Sequence, residues 1–162
     1  MTETENAQTL ERAIVESLDR EFAHLYVQWC AATESTPPEL LYLESTASRQ
    51  LPSASAGECV LRSAAAVEQT FGGITANLWD DPFEWTLPEY LSTPARMRDY
   101  LDEVEETRRR AFSSFTNDDC LRKQVAVPSG ATVLLIDLLR ETLARAEACL
   151  SNRQGFMIRD EV

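Results

Sequence analysis

The feature that most constrains this chain is the spacing of its apolar residues. Leu10, Ile14, Leu18, Phe22, Leu25 and Trp29 follow one another at intervals of 4, 4, 4, 3 and 4. That is one stripe down a long helix, with Glu11, Glu16, Asp19, Arg20 and Glu21 on the opposite face. Strand-like alternation is scarce and the 162 residues contain only five glycines, so an all-α fold is expected. Pro37 and Pro38 end the first helix, and Glu39 to Leu43 reads as a short extra turn.

Three more long helices follow from the same reading. Ser55-Ala56-Gly57-Glu58 has capping-box spacing, with Cys59, Val60, Ala64, Val67 and Phe71 available for burial behind it. Gly72-Gly73 weakens that helix, which is expected to resume through Ile74 to Trp79 before Asp80-Asp81-Pro82 stops it. Thr93 and Pro94 supply an N-cap and a proline at the first helical position for the third helix. Its stripe is Met97, Leu101, Val104, Ala111, Phe112 and Phe115, interrupted by Arg108. Thr116 to Asp119 caps a short turn ending near Lys123, and Val125 to Val127 is too short for a sheet of its own. The last helix is expected from about Ala131 to Asn152, with Gly155 as its stop. The expected architecture is a single four-helix bundle domain over 1–162, with 1–8 and 156–162 as flexible ends.

Composition narrows the chemistry. The chain carries 15 basic and 27 acidic residues, a formal net charge of -12, which argues against a nucleic-acid partner. One histidine, His24, excludes any site needing two imidazoles from this chain, and it lies about 200° round the helix from Phe22, on the outer face. The acidic start and the lack of a long apolar run imply a cytoplasmic protein without a membrane partner. Cys30, Cys59, Cys120 and Cys149 contain no C-x-x-C pair and read as reduced core residues. Acidic residues at 99–106 precede Arg108, Arg109 and Arg110, an order that complements the helix dipole and accounts for the triplet without a phosphate ligand. Trp79, Phe83, Trp85 and Tyr90 form the densest aromatic cluster, expected to lid the bundle with at least two members buried.

Three segments carry a family resemblance: Gly57-Glu58-Cys59-Val60-Leu61-Arg62-Ser63-Ala64-Ala65-Ala66-Val67-Glu68, then Leu91-Ser92-Thr93-Pro94, then Arg140-Glu141-Thr142-Leu143-Ala144-Arg145-Ala146-Glu147. With the order of elements from Leu10 to Gly155, the chain resembles the DinB-like four-helix-bundle superfamily, whose relatives include metal- and thiol-dependent S-transferases and maleylpyruvate isomerases. The resemblance implies that three metal-binding histidine positions are occupied by Ser63, Arg140 and Ala144, with Glu68, Glu141 and Arg145 matching neighbouring positions. Serine is a weak ligand, arginine repels a cation and alanine has no donor atom, so no metal and no other cofactor is expected.

The implied site is a vestigial pocket between helices two and four, formed by Ser63, Glu68, Arg140, Glu141 and Ala144. There Arg140 either holds an anion or pairs with Glu68 or Glu141 and fills the space. The expectation is a homodimeric small-ligand-binding or interaction protein; the alternative is a thiol-dependent S-transferase or isomerase that does not use the family metal.

Overall fold

The computed structural model describes residues 11–43, 54–81 and 90–157, with side chains described up to Ser151. Four long helices dominate: α1 (Ala13–Ser35), α2 (Ala56–Ala76), α3 (Pro94–Ser114) and α4 (Leu135–Met157). Short 3-10 turns occupy Pro38–Leu40 and Asp118–Arg122, and a small hairpin pairs β1 (Gln124–Ala126) with β2 (Thr132–Leu134). The fold is all-α and bundle-like, as the apolar spacing implies.

Cross-helix contacts establish the directions. Phe22 of α1 meets Phe71 of α2, while Trp29 further along α1 reaches Ser63 nearer the start of α2, so these helices are antiparallel. Arg108 meets Asp19, and Arg98 meets Glu34, so α3 also runs against α1. Ser63 bonds to Ala146 and Thr70 to Thr142, so α4 runs against α2. The order is therefore up-down-down-up, with α2 and α3 parallel. A parallel pair needs a connection that returns the helix length, about 31 Å for a helix of this size. The stretch between Asn77 and Thr93 is long enough in sequence to do so.

The local signals in the sequence act as expected at the starts of α2 and α3. The Ser55 hydroxyl accepts from the Glu58 amide while the Glu58 carboxylate accepts from the Ser55 amide, a complete capping box. Thr93 Oγ1 accepts from the Arg96 amide, with Pro94 at the first helical position. At the start of α1 the cap comes from elsewhere in the chain: the Asp118 carboxylate accepts from the amides of Ile14 and Val15, 3.1 and 2.9 Å away. In return, Arg12 donates to the carbonyls of Phe112 and Phe115 at the end of α3. The first half satisfies helix-start amides that have no partner within α1, and the second adds a donor to carbonyls at the end of α3.

Several boundaries differ from the sequence reading. Helix α2 runs unbroken through Gly72-Gly73 to Ala76 and ends at Asn77, the described non-glycine residue with positive φ. The glycines serve a close approach: a Cβ on Gly73 would lie 2.3 Å from the Trp79 ring, which folds back over the helix end. Residues 132–134, expected to open the last helix, are extended and pair with 124–126, so the hairpin exists because β2 supplies the partner that β1 lacks locally. Helix α4 passes Gly155 and ends at Met157. The extra turn near residue 40 is Pro38–Leu40, earlier than Glu39 to Leu43. In α1, Val15 is buried and Ile14 is exposed, one residue out from the expected stripe, because the clamp at Asp118 holds the first turn. Of the aromatic cluster, Phe83 and Trp85 lie outside the described residues, Tyr90 is exposed and Trp79 is half-buried.

The core centres on three phenylalanines from three helices. The Phe22 ring lies 5.3 Å from Phe71 and 5.7 Å from Phe112, and the Phe71 and Phe112 centroids are 5.6 Å apart. All three are essentially inaccessible to solvent. Truncating Phe22 to Ala removes two ring contacts and leaves a cavity that α2 and α3 cannot both close. Phe22→Ala is expected to destabilise the fold by about 3–5 kcal/mol, to be read from urea unfolding of variant and wild type.

Candidate functional site

The inner stripe of α4 is Leu135, Leu138, Leu139, Thr142, Leu143, Ala146 and Leu150. Arg140, Glu141 and Ala144 fall off it and are exposed, so these three expected site residues do not face helix two. Arg140 is exposed and makes no ion pair with Glu68 or Glu141 among the described residues. The physical reason is register: each step along a helix rotates a side chain by about 100°, and a wide apolar stripe leaves that rotation open.

Ser63 is fully buried, but as a structural joint. Its hydroxyl accepts from Trp29 Nε1 and donates to the Ala146 carbonyl, both at 2.8 Å, tying α1, α2 and α4 together. One turn pair further along, Thr70 and Thr142 bond across α2 and α4 at 2.6 Å. Thr142 gives its hydrogen to the Leu138 carbonyl, so Thr70 is the donor of the shared bond. Glu68 lies five residues beyond Ser63, about 140° round the helix. It faces α3, where Tyr100 donates to its carboxylate at 2.6 Å. The five expected residues are therefore dispersed over a buried joint, an α2–α3 contact and the outside of α4.

What lies between helices two and four at the surface is a groove of about 390 Å³. From α2 it takes Arg62, Ala65, Ala66 and Gln69, and from α4 it takes Arg145, Ala148 and Cys149. The spacings i, i+3, i+4, i+7 on one helix and i, i+3, i+4 on the other place each set along one face. Small alanines make the floor, and Arg62 and Arg145, both exposed, stand at its rim. Gln69 Nε2 donates to the Trp79 carbonyl at 2.8 Å, which holds the segment leading to Asp81 against one end. Burial pushes the Cys149 thiol up, against the downward pull of Arg62 and Arg145, so it stays protonated at neutral pH.

Arg62, Arg145 and Cys149 are not among the site residues expected from the sequence: Arg62 adjoins Ser63 in the second-helix motif, Arg145 adjoins Ala144 as a matching neighbour, and Cys149 reads there as a core thiol. The available signal was the pair of small-residue faces, each headed by an arginine. Cys30 and Cys59 are buried as the sequence suggests, whereas Cys120 and Cys149 are only partly so. His24 is on the surface, where Gln28 is its hydrogen-bond neighbour. Among the described residues no group of three His, Cys, Asp or Glu side chains converges, and no helix is long and apolar enough to cross a membrane. Comparisons with family models, with curated proteins and with solved structures find no match to this chain.

Glu68 gives a pH signature for the α2–α3 contact. Burial raises its pKa above the usual carboxylate value, the Tyr100 hydrogen bond lowers it and Glu103 raises it. With the folded value above the unfolded one, the native state holds the proton more tightly, so this residue's contribution to stability declines as pH rises through that window. Glu68→Gln, which cannot ionise, is expected to remove that decline. Chemical denaturation of wild type and variant between pH 4 and 7 checks it: the variant's stability should improve relative to wild type as pH increases, and a constant difference would show the carboxyl to be unperturbed.

Proposed function

We propose that this chain is a DinB-like helical bundle that works by binding a small organic anion in the α2–α4 groove, as a homodimer and without the family's metal. The observation that carries the binding reading is the pair of guanidinium groups, Arg62 and Arg145, set over an alanine floor between two long helices. Arginine's planar fork takes a carboxylate or phosphate bidentately, and alanine methyls offer an apolar bed to the body behind it. The groove is of a size that suits a compact ligand. A carboxylate on a short apolar tail or ring satisfies both halves. The family reading rests on the sequence motifs and on the order of the four helices.

The transferase or isomerase reading draws less from this groove. Cys149 is a protonated thiol there, so a thiol-dependent reaction would take its nucleophile from an external thiol.

Hexanoate and benzoate serve as probes, read by thermal shift and by isothermal titration. Either should raise the melting temperature of the wild type with concentration. Arg62→Gln/Arg145→Gln, which changes exposed residues only, should keep the fold and weaken binding by about tenfold or more. Absence of a shift with both probes, or equal binding by the double variant, would overturn the assignment. Light scattering showing a monomer at micromolar concentration would overturn the dimer.

A further inference from the structure

Fifteen basic residues are spread over a chain of net charge -12, yet one groove gathers five of them. It lies along α1 and α3, on the far side of the bundle core from the α2–α4 groove, and encloses about 740 Å³. Arg12 and Arg20 come from the α1 side, and Arg108, Arg109 and Arg110 come from α3. The acidic residues in its lining are Asp19, Glu105 and Glu106.

The dipole does not account for this arrangement. The triplet precedes the last turn of α3, which carries no basic residue, and the carbonyls at that end accept from Arg12, Ser113, Ser114 and the Phe115 amide instead. Arg108 is turned inward, 3% exposed, where Glu105 grips it through both carboxylate oxygens at 2.7 and 2.8 Å and Asp19 binds it from α1. Its guanidinium lies 5.4 Å from the Phe112 ring centroid. Burial penalises that charge, but the bonds to Glu105 and Asp19 outweigh the penalty and hold its pKa above the usual arginine value. Glu106 is engaged by Arg110 at 2.9 Å.

The three acids are thus committed to Arg108 and Arg110. Arg12 bonds to the neutral carbonyls of Phe112 and Phe115. Arg20 and Arg109 are exposed and make no hydrogen bond or ion pair among the described residues. The five guanidiniums outnumber the three carboxylates by two, and that excess is carried by three guanidiniums that no carboxylate among the described residues pairs; on an otherwise acidic molecule such a groove attracts an anion with more than one charge.

We infer that the α1–α3 groove is a second binding site, specific for a compact polyanion of the di- or triphosphate class. One phosphate meets Arg109 and Arg20 across the groove, and the next extends along α1 toward Arg12. A single carboxylate engages too few of these groups to bind well, which separates this site chemically from the α2–α4 groove.

Sodium tripolyphosphate is the probe, titrated calorimetrically into the full chain in metal-free buffer at low and at physiological salt. Binding should be measurable at low salt and should weaken as salt rises. Inorganic phosphate should bind at least about tenfold more weakly, since it spans fewer guanidiniums. Arg20→Gln/Arg109→Gln should match wild type in helicity and in melting temperature without ligand, yet lose about tenfold or more in affinity. Arg62→Gln/Arg145→Gln should bind tripolyphosphate as wild type does. No binding, equal binding of mono- and tripolyphosphate, an unaffected Arg20/Arg109 variant, or loss in the Arg62/Arg145 variant would each overturn the proposal. None of these results bears on carboxylate binding at the other groove.

Discussion

The contact on which the rest of the bundle depends is the meeting of Phe22, Phe71 and Phe112. Each ring comes from a different helix, and each touches the other two at 5.3–5.7 Å. Edge and tilted geometries let the positive rim of one ring face the negative face of another, so the contact has orientation as well as area. Once these rings are placed, α1 has its depth in the bundle and α2 and α3 lie parallel against it. Helix α4 is then located from α2 by hydroxyl bonds through Ser63 and by the Thr70–Thr142 pair. These hydroxyls are buried and fully partnered, and a shift of α4 by one residue would strand them in the core.

The second organising device is the clamp at one end of the bundle. Asp118 supplies acceptors to the first amides of α1, and Arg12 supplies donors to the last carbonyls of α3. Neighbouring residues do not do this work, so no local motif announces it. The clamp also brings α1 and α3 side by side in antiparallel register, which is what aligns Asp19 with Arg108 and Arg20 with Arg109 along one groove. The hairpin after Asp118–Arg122 then turns the chain back to begin α4.

The residues of the expected site are separated by helix rotation. Ser63 and Glu68 belong to one sequence motif, but five residues of helix separate them by more than a third of a turn, and they serve different contacts. Arg140 and Ala144 lie on α4's outer surface because its inner stripe runs through Leu139, Thr142, Leu143 and Ala146. Both placements follow from how far each residue is rotated about its helix axis. The arginine triplet illustrates the opposite case: a sufficient local explanation in the dipole, displaced by long-range partners that only the packed helices bring near.

The sequence by itself determined that there are four long helices, where α2 and α3 begin, and most of the residues that α1, α2 and α3 bury. Periodicity, capping hydroxyls and proline at a first helical position all act within a few residues, so the chain need not be folded for them to be read. Tertiary structure decided the up-down-down-up order, the rotation of α4, the pairing of β1 with β2 and the uninterrupted passage of α2 through Gly72-Gly73. It also decided which arginines are spent on carboxylates and which are left facing a groove. Those outcomes depend on contacts between residues as many as about a hundred positions apart, such as Arg12 with Phe115, and the energy of such a contact exists only once the intervening chain has been packed.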